Sequence, residues 1–188
     1  KVLNTIAGNI NGGQAAGVVA TVAHTNIGKQ SVTAAIKNSK ITTAKNQDKK
    51  NINVTAKDSV VMNTVAAGVG GAKGASVQGS SASTTLNKTV SAHVEKTDID
   101  KENHESKEKA DFNVLAENTS QVVTNATVLA GASGQAAVGA GVAANKITQN
   151  TSAHIKNSTQ NVRNALLKSK ANSSITTIGI GAGVGVGG

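Results

Sequence analysis

The sequence contains no cysteine, proline, tryptophan or tyrosine, and its 188 residues include one phenylalanine, Phe112, and one methionine, Met62. The lack of cysteine excludes a disulfide framework and cysteine-based zinc sites, and leaves the redox compartment open. It also suits a chain that crosses membranes unfolded, with no thiols to cross-link. The shortage of aromatics removes the side chains that usually supply core volume and pocket walls in a globular enzyme. The apolar 38% is almost all Ala, Val, Ile and Leu, which suits thin, regular packing. Charged residues make up 15%, too few for a charge-swollen disordered chain. No run reaches the roughly 18 uninterrupted apolar residues of a membrane helix. The nearest stretches, 126–144 and 178–188, are broken by glycine, so no transmembrane segment is expected. The opening KVLNTIAG reads as mid-strand without a leader pattern, so the chain is expected to be a piece of something longer.

What the sequence does contain is repetition. GGQAAGVV (12–19) and SGQAAVGA (133–140) share the tetrapeptide G-Q-A-A. The stretch 51–71 finds a partner in 111–132, pairing Asn53-Val54 with Asn113-Val114, Ala56 with Ala116, Val61 with Val122 and Thr64 with Asn125. The first residues resemble 60–71, placing Leu3 with Met62 and Asn4-Thr5 with Asn63-Thr64. A second block recurs as SVTAAIKNSK (31–40), TVSAHVEKTD (89–98) and NTSAHIKNST (150–159), so that Ile36, Val94 and Ile155 share one slot. Three degenerate units of about 60 residues follow, roughly 1–59, 60–120 and 121–188.

Within a unit, segments such as NINVTAKDS and SAHVEK alternate apolar and polar residues, the period of a strand with one buried face. Asn, Gly, Asp and Ser recur every 8 to 12 residues and read as turn punctuation. The expectation is an all-β chain, a parallel β-helix (β-solenoid) in which coils stack at roughly 4.8 Å and only slim side chains fit inside. A unit of this length would then hold two or three coils, with Ile36, Val94 and Ile155 stacked as an aliphatic ladder. One exception is expected in the third unit, where N-V-R-N-A-L-L-K (161–168) looks helix-like.

A charged insert, EKTDIDKENHESKEKA, interrupts the second unit at about 95–110. It sets Glu95, Asp98, Asp100, Glu102, Glu105 and Glu108 against Lys96, Lys101, Lys107 and Lys109, with His104 among them. Such an insertion at one corner of a solenoid is either a solvated loop or a candidate contact loop that carries function. The shorter 44–50 segment of the first unit is basic.

Chemical motifs are sparse. There is no phosphate loop, no nucleophile elbow and no zinc helix. Gly183, Gly185 and Gly188 fit G-x-G-x-x-G only as part of a glycine run. His93 and His154 share a slot that holds Ala35 in the first unit, but two coils would separate them by on the order of 10 Å, too far for one metal ion. His24 and His104 have no partners at ligand spacing, so no metal or cofactor is expected. Asp48, Asp58, Asp111 and Glu117 are expected at strand ends without pairing, which argues against a polysaccharide-cleaving enzyme and leaves no catalytic residues to name. The net charge of +9 favours anionic surfaces. With one arginine, Arg163, and no aromatic platform, glycan or cell-surface contact is expected rather than nucleic acid.

The run GQAAVGAGVAANKI (134–147) followed by TSAHIKNS (151–158) resembles the repeats of large bacterial exoproteins of the filamentous haemagglutinin and fusobacterial leukotoxin type. The resemblance covers nearly the whole chain; the charged insert and the stretch 161–168 depart from it. It implies a right-handed parallel β-helix, export through an outer-membrane secretion partner, and a secreted or cell-surface virulence factor that engages a host-cell surface protein or glycan. On that basis the chain is expected to be an adhesive, haemagglutinin-like shaft. The alternative is part of a leukotoxin that damages host leukocytes.

Overall fold

The computed structural model describes residues 1–43, 51–100 and 109–186. Among these residues every regular element is a strand: β1 (Val2–Gly13), β2 (Ala16–Lys37), β3 (Lys40–Ile41), β4 (Asn51–Ala72), β5 (Ala75–Glu95), β6 (Asp98–Ile99), β7 (Asp111–Ala132), β8 (Ala137–Lys156), β9 (Thr159–Gln160) and β10 (Asn164–Gly185). They form three parallel sheets with the orders β1-β4-β7-β10, β2-β5-β8 and β3-β6-β9. The chain therefore visits the first, second and third sheets in turn and returns to the first beside its earlier strand.

The interval between neighbours is close to the repeat length. Asn4 lies beside Asn63, 59 positions on, and Asn53 beside Asn113, 60 positions on. From β7 to β10 it falls to 53, as between Asp111 and Asn164, because the β9–β10 connection has no counterpart of the long segment between β6 and β7. Each sheet thus receives one strand per 60-residue stretch, and the expectation of two or three coils per unit is corrected. The cause is strand length. β4, β7 and β10 each run for 22 residues, several times the usual five or six. The Asn, Gly and Ser residues that read as punctuation mostly lie inside these strands. Asn63 and Asn113 point outward and donate side-chain hydrogen bonds of 2.8 Å to Asn4 and Asn53, so polar rows continue where turns were expected.

The register agrees with most of the sequence pairings. Leu3 faces Met62, Val54 faces Val114 and Ala56 faces Ala116, while Ile36, Val94 and Ile155 form one row. Two pairings shift by one residue: Val61 faces Gln121, with Met62 facing Val122, and Thr64 faces Thr124. A one-residue slip would have turned each inward side chain outward. The helix-like reading of 161–168 is also overturned. Ala165 and Leu167 extend the inward rows of Phe112 and Val114, and the edge of β7 supplies backbone partners that favour strand over local helix propensity. One irregularity falls between Ile27 and Gln30, where Gly28 and Lys29 oppose Asn87 as a β-bulge.

Inward rows of the first two sheets meet and divide the interior into tiers across the strands. Nearest the third sheet, Val54, Val90, Val94, Ile99, Phe112 and Val114 pack together. Farther along, Ile27, Val60, Met62, Leu86 and Val122 form a second apolar group. A hydroxyl tier follows. Thr64 bonds to Thr25 at 2.6 Å and to Thr84 at 2.8 Å, Thr84 bonds to Thr124 at 2.8 Å, and Thr124 donates to Asn145 at 2.5 Å. Asn145 in turn donates to Thr177. Then come alanines, Ala23, Ala66, Ala82 and Ala126, and finally glycines. A methyl group placed on Gly141 would lie 2.5 Å from the carbonyl oxygens of both Ala126 and Ile180. The sheets therefore touch backbone to backbone here, and side-chain volume sets a taper from Phe112 down to glycine.

Candidate functional site

The corner between the second and third sheets is built three times from the recurring block. Lys37-Asn38-Ser39, Glu95-Lys96-Thr97 and Lys156-Asn157-Ser158 stack on one another. The middle residue of each has a left-handed backbone, with φ of 50° at Asn38, 48° at Lys96 and 49° at Asn157. In each corner the following hydroxyl donates back to the carbonyl two residues earlier: Ser39 to Lys37, Thr97 to Glu95 and Ser158 to Lys156, at 2.8 to 2.9 Å. Backbone bonds carry the ladder around the bend, from Asn38 N–H to the Glu95 carbonyl and from Lys96 N–H to the Lys156 carbonyl, both 3.0 Å.

This corner places part of the candidate host-contact loop. Glu95 and Lys96 belong to it. Asp98 lies in β6, beside Lys40 and Thr159. Asp100 is 1% exposed, with φ 49°, and its carboxylate accepts from the N–H and the hydroxyl of Thr43 at 2.6 and 2.7 Å, so it is turned inward and ties two neighbouring connections together. Lys109 is half-buried just before β7. Lys101, Glu102, His104, Glu105, Lys107 and Glu108 lie outside the described residues, as do Asp48 and the basic segment 44–50.

Directly before the corner, the outer face of the second sheet brings His93 and His154 together. Their rings are stacked, with centroids 5.0 Å apart and planes 4° from parallel. The expected separation of two coils is corrected to one strand spacing. Parallel rings send their lone pairs in parallel directions, so the pair does not converge on one ion. No group of His, Asp and Glu with ligand geometry occurs among the described residues. Burial, then the Lys37 cation and the His154 ring, push the His93 imidazole below its ordinary value against the opposing pull of Glu95. For Glu95, desolvation acts upward, but Lys37, His93 and Lys156 together hold its carboxyl below the usual range. Lys37 lies 3.6 Å from Glu95 on one side, and His154 Nε2 lies 3.9 Å from it on the other.

The acidic residues weighed for catalysis are engaged elsewhere. Asp111 accepts two bonds from the Arg163 guanidinium, at 2.9 and 2.7 Å, and one from Asn164, which hold its carboxyl below the usual range. Glu117 pairs with Lys57 at 2.9 Å on the outer face of the first sheet, and that hydrogen bond lowers its carboxyl too. Asp58 and Glu117 lie within β4 and β7 rather than at strand ends, correcting that expectation; Asp58 points into the interior toward Lys88. A shallow outer groove is lined by Asn53, Asn113, Leu115, Glu117, Leu166 and Lys168.

Sequence reasoning missed two surface features. Val18, Val77 and Val138 form an exposed apolar row on the second sheet, and Ile10, Val69 and Leu129 form one on the first, both in the glycine-rich half. Alternation of apolar residues on both strand faces in 2–13 and 16–22 was the available signal. No helix among the described residues is long and apolar enough to cross a membrane. Comparison of the chain with protein-family models, with curated proteins and with solved structures returns no match.

Proposed function

We propose that the chain is a segment of a right-handed parallel β-helix belonging to a secreted or surface-attached bacterial exoprotein. It acts as an extended, haemagglutinin-like shaft whose outer faces and corner meet a host-cell protein or glycan. The observation that carries this reading is the in-register parallel pairing of strands about 60 positions apart, with like residues stacked in like rows, as at Asn53 and Asn113 or His93 and His154. Such stacking builds length and repeated surface. Lysines along the outer rows and the corner, including Lys37, Lys96, Lys156 and Lys168, support contact with anionic glycans.

A second reading, a leukotoxin segment that injures host membranes, is favoured by the exposed apolar rows of Val18, Val77 and Val138 and of Ile10, Val69 and Leu129. One experiment separates the two. The purified chain is added to leukocytes and epithelial cells, and bound protein and released cytosolic enzyme are measured at the same dose. Saturable binding without release supports the shaft. Release at doses that give binding favours the toxin, and no saturable binding to cells or to an anionic glycan array defeats both.

A further inference from the structure

Lys88 is the one lysine among the described residues whose side chain is enclosed. It stands in the middle of the stack, between Gln30 of β2 and Gln149 of β8 in its row of the second sheet. Across the interior, Asp58 and Asn118 lie side by side on β4 and β7. The Lys88 ammonium is 3.0 Å from Asp58 Oδ2, and it donates to the carbonyl of Thr119, the residue after Asn118, at 3.2 Å. Asn118 is 1% exposed, yet neither its Nδ2 nor its Oδ1 has a hydrogen-bond partner. The next inward hydroxyl on its own strand, Ser120, already accepts from Gln149. A buried carboxamide with both ends unpaired is costly and calls for a reason. The tier is closed by Val60 and Leu86 on one side and by Ala56, Val90 and Ala116 on the other. An amine, a carboxamide and a carboxyl group thus meet where apolar side chains exclude water, which is the set an amide-forming transfer requires.

We propose that the folded chain joins Lys88 to Asn118 by an isopeptide bond, formed by its own residues with Asp58 as the proton carrier. The ion pair is the state before reaction. Asp58 takes one proton from the Lys88 ammonium, and the freed lone pair on Nζ attacks Cγ of Asn118 while the Asp58 O–H donates to Oδ1. In the tetrahedral adduct a second proton passes from Nζ through Asp58 to Nδ2, the Cγ–Nδ2 bond breaks, and ammonia departs. An ammonium, a carboxylate and a carboxamide are thereby converted into a secondary amide, ammonia and a protonated Asp58, and no oxidant or cofactor enters. Asp58 is not itself the group attacked, because one carboxyl cannot be both acceptor and proton carrier. The facing rows Gln30-Lys88-Gln149 and Asp58-Asn118-Ala171 hold no second acid. The product replaces two buried charges with a neutral amide and ties β5 to β7, and so the second sheet to the first, through the interior. The inference rests on this tier alone and stands or falls separately from the adhesive reading.

The test is the intact mass of the purified, folded chain, followed by tandem mass spectrometry of its tryptic digest. The chain is expected to weigh less than its sequence by one ammonia, and the digest to yield one branched peptide that holds Lys88 and Asn118, uncut after Lys88. In denaturant-unfolded chain that is then refolded, the mass loss is expected to appear only after folding. Lys88→Met and Asp58→Asn are each expected to restore the full mass, with the strand signal in circular dichroism retained. The mass and the mapped peptide of the unaltered chain decide the matter without either variant, should one fail to fold. Full mass in the folded chain, or ammonia loss that persists in Lys88→Met, overturns the proposal. Loss of water with Lys88 mapped to Asp58 overturns the assignment to Asn118, and undiminished bond formation in Asp58→Asn overturns the role given to Asp58.

Discussion

The Lys88 ammonium lies 3.0 Å from the Asp58 carboxylate inside the protein, between the two apolar groups of the interior, and the lysine side chain is completely enclosed. It also donates to the Thr119 carbonyl at 3.2 Å. Removing one partner strands a charge in a region of low polarity. Asp58→Leu alone is expected to cost about 3–5 kcal/mol in chemical denaturation. The double replacement Lys88→Met with Asp58→Leu is expected to recover most of that loss. If the double variant is as unstable as the single one, the pair is not what holds this tier.

The hydroxyl tier makes a smaller, graded claim. Thr84 bridges Thr64 and Thr124 across the interior. Thr84→Val keeps the shape, removes both bonds and is expected to lower stability by about 1–3 kcal/mol. Thr84→Ser, which keeps the hydroxyl, should lose less. Urea titrations of the three proteins decide this.

Glycine positions separate close contact from mere flexibility. At Gly141 a methyl group meets two carbonyl oxygens, whereas at Gly8 it meets nothing within 4 Å. Gly141→Ala is expected to destabilise by about 1–3 kcal/mol or more. Gly8→Ala is expected to be neutral or to stabilise by up to about 1 kcal/mol, since it restricts the unfolded chain. Thermal melts side by side provide the measurement.

Lys96 is the one corner residue of its row that is not asparagine, and it carries the same left-handed backbone as Asn38 and Asn157. Lys96→Asn is expected to stabilise by up to about 1 kcal/mol, because asparagine tolerates this conformation better than lysine. A lower melting temperature would count against the corner geometry.

The stacked histidines predict an acid response. The His93 imidazole is held below its ordinary value by burial, by Lys37 and by His154. A base with a depressed folded value binds fewer protons than the unfolded chain, so its share of stability is complete above about pH 6.5 and declines as pH falls through that value toward the folded one. Glu95, Asp111 and Glu117, held low by their cations, add a second loss below about pH 4.5. Denaturation between pH 7.5 and 5 is expected to show a decline that His93→Gln flattens; an equal slope in the variant removes His93 as its source.

These positions also show how far the residues alone could be read. Alternation at 51–71 and 89–98 was enough for strands and for the parallel, repeating arrangement, because most inward rows are apolar or small where the sheets face each other, Lys88, Asp58, Gln78 and Asn118 being exceptions. Strand length was not legible, since Asn53, Asn63 and Asn113 look like turn residues until their neighbours one circuit away supply hydrogen-bond partners. The same blindness split His93 from His154. The 161–168 stretch looked helical because its strand character comes from β7, not from its own letters. Within the candidate corner, Lys-Asn-Ser was visible as a phrase, whereas the burial of Asp100 was not: its partner, Thr43, lies 57 positions away.

The shared direction of the strands has a mechanical consequence. All ladder bonds of β4, β7 and β10 point along the stacking axis, so a pull parallel to the strands loads a whole row of them at once in shear. A pull along the axis at the edge of β10 opens them one after another, as in peeling tape. The protein is therefore expected to resist tension in one direction and yield strand by strand in the other.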